Sequence, residues 1–107
     1  MTSNRLTQLF AFLENTPNDS FLLFAIAKEY EKLGDEDNAL HFYQKLTETD
    51  PNYIGTYYHL GKLQEEMEEL AEALSTYETG IQIAKKNKDQ HALSELMGAK
   101  MNLEIEL

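Results

Sequence analysis

The sequence predicts an all-α fold in which antiparallel helix-turn-helix repeats stack as a short solenoid. The only two prolines, Pro17 and Pro51, lie 34 residues apart, and similar residues recur at this separation along the chain. Apolar residues follow helical spacing, and a period of 34 residues suits a helical hairpin that must stack on a neighbour to cover its apolar side. The recurring pairs include Ile26/Leu60, Ala27/Gly61, Lys28/Lys62, Glu31/Glu65, Ala39/Ala73, Leu40/Leu74 and Tyr43/Tyr77.

An N-terminal helix is predicted over residues 3–15, ahead of the first hairpin. Ser3 is a plausible N-cap, and Thr16-Pro17 would stop the helix. Its apolar residues stand at helical spacing and would face the first repeat. They are Leu6, Leu9, Phe10 and Leu13.

The first repeat is predicted over residues 18–51 as two helices joined by a tight turn. The polar cluster Asn18-Asp19-Ser20 would cap a helix that runs to Leu33. Gly34 can take the left-handed backbone that ends a helix, and Asp35 can cap the next helix, over residues 36–49. Asp50-Pro51 then closes the unit.

The second repeat, residues 52–85, follows the same plan with helices at about 53–67 and 70–86. Gly61 stands where the first repeat has Ala27, so a small residue there would let two helices approach closely. Glu68 replaces Gly34, so either Glu68 takes a left-handed backbone or this helix ends differently.

The 34-residue register breaks after the second repeat. Residues 89–105 are predicted to form a capping helix, because its apolar stripe comes two residues late and end units of solenoids are atypical. We expect Leu93, Leu96, Met97 and Met101 to face the stack, and Ser94, Glu95, Lys100 and Asn102 to face water.

The charge, the apolar runs and the missing catalytic motifs of the sequence exclude several classes of function. The 107 residues carry a formal charge of −10, which disfavours nucleic acid and anionic membranes as partners. No apolar run approaches the roughly 20 residues of a membrane span, and no signal-peptide pattern is present, so a cytoplasmic protein is expected. The sequence has no cysteine, no His-Glu-x-x-His, no nucleophile elbow and no glycine-rich phosphate loop. We therefore expect neither a metal nor a cofactor nor enzyme activity.

The repeated positions resemble the tetratricopeptide repeat (TPR) family. The resemblance covers residues 17–84 and implies a right-handed solenoid of non-catalytic hairpins that bind protein partners on a concave face, lined by the first helix of each pair. The residues that carry it are Leu23, Ile26, Ala27, Tyr30, Ala39, Tyr43 and Pro51, then Tyr57, Leu60, Gly61, Ala73 and Tyr77.

The resemblance also implies which side chains line the concave face. Phe24 and Tyr58 are one period apart, as are Lys28 and Lys62, so each pair would project in parallel from neighbouring helices. Such a strip suits a peptide with an apolar anchor and an acidic group. Alternatively, the phenylalanines pack internally and the lysines pair with Glu31 or Glu65 in solvent. The implied positions are Phe21, Phe24, Lys28, Glu31, Lys32, Gly55, Tyr58, Lys62, Glu65 and Glu66.

Two functions therefore stand open from the sequence. The first is a TPR domain, over residues 1–107, that binds a protein or peptide of unknown identity. The second is a self-association module that joins two copies through exposed aromatics or a C-terminal apolar stripe. The stripe comprises Leu96, Met97, Met101, Ile105 and Leu107.

Overall fold

A computed structural model describes residues 3–107 of the chain as an all-α protein. The part of the chain that it describes contains six helices and no strand, as the sequence predicts. The helices agree with the predicted ones to within about two residues at each end, which is the ordinary uncertainty of helix boundaries. They are α1 (Asn4–Asn15), α2 (Ser20–Lys32), α3 (Glu36–Thr49), α4 (Gly55–Glu66), α5 (Leu70–Asn87) and α6 (Gln90–Glu106).

Side-chain caps fix where four of these helices begin. The Ser3 hydroxyl accepts the Leu6 N–H at 2.9 Å, at the start of α1. Asp19, Asp35 and Asp89 cap α2, α3 and α6 in the same way, each accepting the N–H three residues later. Each cap satisfies a backbone donor that has no partner inside its helix.

The turns that end α2, α4 and α5 share one geometry. Gly34, Glu68 and Lys88 have positive φ angles of 78°, 61° and 57°. Glu68 therefore takes the left-handed backbone, which settles the two possibilities that the sequence left open. In each turn the next residue's N–H reaches back five residues, the Schellman pattern that satisfies an end carbonyl. These bonds are Asp35 to Tyr30 (2.9 Å), Glu69 to Gln64 (2.8 Å) and Asp89 to Ala84 (2.9 Å).

The chain divides into two compact units, one up to Tyr53 and one from Ile54 to Leu107. In the N-terminal unit, α2 packs against α3 and also against α1. Aromatic rings join the three helices, because Phe10 lies 5.7 Å from Phe42 and Tyr30 stacks on Phe42 at 5.8 Å between centroids. The buried residues of this cluster are Leu6, Leu9, Ala25 and Ile26.

In the C-terminal unit, α5 packs against both α4 and α6. Gly61 is buried beneath Tyr77, and a Cβ added to it would lie 2.2 Å from a ring carbon of that tyrosine. The small residue predicted to allow a close approach thus makes room for an aromatic ring. The buried core of the unit comprises Tyr57, Ala73, Tyr77, Ile81, Ala84, Leu96, Ala99 and Leu103.

The face of α6 differs from the predicted one. Leu96 is buried and Leu93 is partly buried, as expected, but Met97 and Met101 are 50% and 60% exposed. The prediction was wrong for the two methionines because Ala99 and Leu103, rather than Met97 and Met101, join Leu96 in the buried core. None of the described helices is both long and apolar enough to span a bilayer.

Candidate functional site

The candidate site is an open concavity of about 750 Å³ in the N-terminal unit, which we call the α1–α2 concavity. It lies over the face of α2 that carries Phe21, Phe24, Lys28 and Lys32, four of the residues predicted for binding. Their spacing of three or four residues along α2 places them on one side of the helix. The lining is Arg5 from α1 and Phe21, Phe24, Ala25, Lys28, Glu29, Glu31 and Lys32 from α2.

The two phenylalanines have different environments. Phe21 is 62% exposed, so its ring is available at the surface. Phe24 is partly buried, and its ring lies 6.1 Å from that of Tyr43 and 5.6 Å from that of Tyr53. Tyr43 in α3 and Tyr53 in the segment after α3 thus hold the Phe24 ring in place, and part of this ring still faces the concavity. The concavity thus has one fixed aromatic ring and one exposed ring.

Both carboxylates of the concavity already have partners. Glu29 is only 7% exposed, and its Oε1 lies 3.6 Å from the guanidinium Nε of Arg5. Glu31 accepts a short hydrogen bond from the hydroxyl of Tyr43. Burial, together with this bond, raises the pKa of Tyr43 above its ordinary value, so the tyrosine remains a proton donor. Three cationic side chains against two engaged carboxylates make the concavity locally cationic in an acidic chain.

The C-terminal unit repeats the tyrosine–carboxylate bond one period later. The hydroxyl of Tyr77 donates to Glu65, as Tyr43 does to Glu31. Burial and the bond to Glu65 likewise raise the pKa of Tyr77. Both glutamates were predicted for the binding face, and each fastens the first helix of its hairpin to the second.

Tyr58 and Lys62 contact each other within α4. The Lys62 ammonium lies 5.7 Å from the centroid of the Tyr58 ring, a cation–π distance. Both residues are partly buried, and Tyr58 packs against the core of the C-terminal unit. These two residues, each predicted for the binding face, therefore form one local cluster of a ring and a cation.

Sequence reasoning missed Arg5, Ala25 and Glu29. Arg5 lies in α1, one period before Ala39, so it has no cationic counterpart that would single it out. Glu29 was missed because a glutamate in an amphipathic helix ordinarily faces solvent. Only the packing of α1 on α2 shows that this glutamate is buried beside an arginine. Among the described residues 3–107, no group of three histidines or carboxylates could hold a metal ion.

The sequence model of the tetratricopeptide repeat matches residues 31–96 of the chain. The chain belongs to the tetratricopeptide repeat family. A TPR domain protein from Salinibacter ruber is 44% identical in sequence, with a TM-score of 0.77 over 80% of this chain and 96% of that one. No curated protein sequence is significantly similar to the chain.

More distant TPR structures agree with the fold alone. The TPR2B domain of yeast Sti1, solved as a complex with pHsp70, superposes with a TM-score of 0.87 at 19% identity. That match covers 95% of this chain and 82% of the other. PcrH, solved with the chaperone-binding region of PopD, has a TM-score of 0.86 at 14% identity, covering 94% and 77% of the two chains.

Proposed function

We propose that this TPR protein is a non-catalytic interaction module that binds a peptide segment of a partner protein in the α1–α2 concavity. The observation that carries the proposal is the combination of two aromatic rings with three cations in one open depression. Two TPR structures of similar fold are complexes with other proteins, one with pHsp70 and one with the chaperone-binding region of PopD. These complexes support peptide binding as a use of this fold.

The chemistry of the concavity favours an acidic segment with an apolar anchor. The exposed ring of Phe21 offers apolar area, and aromatic residues often dominate binding energy. Glu29 and Glu31 are engaged by Arg5 and Tyr43, so they oppose an incoming carboxylate less than free glutamates would. Lys28 and Lys32 supply the complementary charge.

We propose further that Tyr58, Lys62 and Glu65 of the C-terminal unit take part in binding the partner. Support comes from the 34-residue period, which relates Tyr58 to Phe24, Lys62 to Lys28 and Glu65 to Glu31. In this role Tyr58 and Lys62 act as a ring and a cation presented together. Glu65 acts indirectly, by fastening α4 to α5 through Tyr77.

Selection of binders from a random peptide library displayed on phage tests the proposal. The immobilised native chain should enrich peptides that carry aspartate or glutamate next to a large apolar residue. Synthetic copies of the enriched peptides, titrated into the isotope-labelled chain, should shift the backbone NMR signals of Phe21, Phe24 and Lys32. Shifts that avoid α2 would refute the site.

Matched variants distinguish binding in the α1–α2 concavity from nonspecific binding to exposed apolar or charged residues. Phe21→Ala should weaken binding by about tenfold, the scale of a strong aromatic contact, whereas Phe12→Ala should not. The two rings are equally exposed, at 62% and 63%, but Phe12 does not line the concavity. Lys32→Glu should likewise weaken binding, while Lys86→Glu, the same charge change in α5, should leave it intact. Equal effects within either pair would contradict the proposal.

A further inference from the structure

The exposed side of α6 carries an apolar row that the core does not use. Met97, Met101 and Ile105 recur every four residues and are 50%, 60% and 78% exposed. We call these three residues the α6 stripe. Six large apolar residues of the described chain are exposed, and four of them are this stripe and Leu107, which follows it. Exposed apolar residues concentrated in this way are typical of an interaction surface.

A groove of about 370 Å³ runs beside the stripe, between α5 and α6. Ile81, Met97 and Met101 form its apolar lining, and Lys100 and Glu104 lie on the same side of the stripe. Lys100 also pairs with Glu78 across the groove, at 3.5 Å. The surface thus consists of a ridge and an adjacent groove, and the charged residues that line the groove are Glu78, Lys85, Lys100 and Glu104.

The position of Met97 in α6 corresponds to a small buried residue in the first helix of each hairpin. The caps Asp19 and Asp89 act alike, and aligning them places Met97 at the position of Ala27. Ala27 is fully buried, and its counterpart Gly61 lies beneath Tyr77 with no room even for a Cβ. A helix that seats a tyrosine as α5 does would collide with Met97. This face therefore calls for a different occupant.

We propose that the α6 stripe and its groove form a self-association site, in which α6 of a second copy of this chain packs about a two-fold axis near Met101. Rows of residues four apart pack into each other's grooves at a helix crossing of about 50°. On this axis Met101 meets its own counterpart, and Met97 meets Ile105 of the second copy. A two-fold interface needs this kind of self-complementary surface.

Charge complementarity favours a second copy as the occupant. Lys100 and Glu104 lie one turn apart on the same side of the stripe. An antiparallel arrangement brings that side of one helix against the same side of the other. Lys100 of each copy then lies beside Glu104 of its counterpart, which forms two equivalent ion pairs. A second copy carries the matching glutamate and lysine by symmetry, whereas an unrelated helix would need them at these positions by chance.

Charge-reversal variants test the geometry by sedimentation equilibrium of the purified chain. The native chain should reach twice its 12.3 kDa mass as its concentration rises. Lys100→Glu and Glu104→Lys each place like charges together twice, so each variant alone should dissociate about tenfold or more readily. An equimolar mixture of the two variants should associate again, because opposite charges then face each other at both positions.

Control variants keep the result specific. Lys86→Glu makes the same charge change elsewhere on the C-terminal unit and should associate like the native chain. Met101→Asp should abolish association, whereas Phe12→Asp, at an equally exposed site on α1, should not. Circular dichroism should show the same helix content for every variant.

Three results would each overturn the proposal. The native chain could stay at its monomer mass up to high micromolar concentration. The Lys100→Glu and Glu104→Lys variants could associate as readily as the native chain. The mixture of these two variants could fail to recover association. None of these measurements involves the α1–α2 concavity, so they bear on self-association alone.

Discussion

Replacing Gly61 with alanine should destabilise the chain, although alanine is the better helix former. The added Cβ would lie 2.2 Å from one ring carbon of Tyr77 and 2.7 Å from two more. Tyr77 has no exposed surface, so the ring has nowhere to move without disturbing its neighbours. Overpacking of this kind costs about 1–3 kcal/mol, and these contacts put the cost at the upper end. The higher helix propensity of alanine offsets about 1 kcal/mol of this cost, so the unfolding free energy should fall by about 2 kcal/mol in total.

Gly98→Ala is the matched control for this prediction. Gly98 lies inside α6, and a Cβ added there would meet no atom within 4 Å. Only the higher helix propensity of alanine applies here, so the unfolding free energy of this variant should rise by about 0.5–1 kcal/mol. Urea denaturation followed by far-ultraviolet circular dichroism would measure both variants against the native chain. The two glycine-to-alanine changes should therefore have opposite signs.

A double-mutant cycle then locates the cause. In a Tyr77→Leu background the smaller side chain gives the alanine room, so Gly61→Ala should cost far less than in the native background. Coupling of about 1 kcal/mol or more is expected between residues in such contact. If the two substitutions were additive, or if Gly61→Ala alone unfolded at the native midpoint, the ring would not be the constraint.

Three further substitutions test the turns, the tyrosine bonds and the caps. Glu68→Gly should raise the unfolding free energy by about 1 kcal/mol, since glycine takes a positive φ without a Cβ penalty; an unchanged urea midpoint would contradict this. Tyr43→Phe should lower it by about 1.5 kcal/mol at neutral pH, because Glu31 loses a donor. Burial and that bond raise the pKa of Tyr43 above its ordinary value of 10.0. The bond therefore contributes fully to the unfolding free energy below pH 10.0, and this contribution is lost as the pH rises further. Above that pH, the unfolding free energy of the native chain, measured with urea, should fall more steeply than that of the Tyr43→Phe variant. Asp89→Ala should cost about 1 kcal/mol and fray the start of α6, which amide hydrogen exchange near Ala92 would detect.

The helices of this TPR protein could be predicted from the sequence because their determinants are local. Ser3, Asp19 and Asp89 act as caps within three residues of themselves, and Gly34 ends a helix through its own backbone. Glu68 shows the limit of this reasoning, since its left-handed backbone is imposed by the repeated turn rather than favoured by the residue.

The candidate site could be predicted where the period repeats and not elsewhere. Phe21, Phe24 and Lys32 were placed on one face of α2, and that face lines the concavity. Arg5 has no counterpart one period on, and its closeness to Glu29 arises only when α1 packs on α2. The exposure of the α6 methionines has the same origin, because helical spacing defines a stripe but not which element covers it.

The hydrogen bonds from Tyr43 to Glu31 and from Tyr77 to Glu65 bear on how the chain acquires its structure. Each joins residues only 12 apart in sequence, so a hairpin can close as soon as its own turn has formed. Proteins dominated by such short-range closure fold on the microsecond to millisecond scale. Each hairpin can therefore lock during synthesis, before the remainder of the polypeptide has left the ribosome.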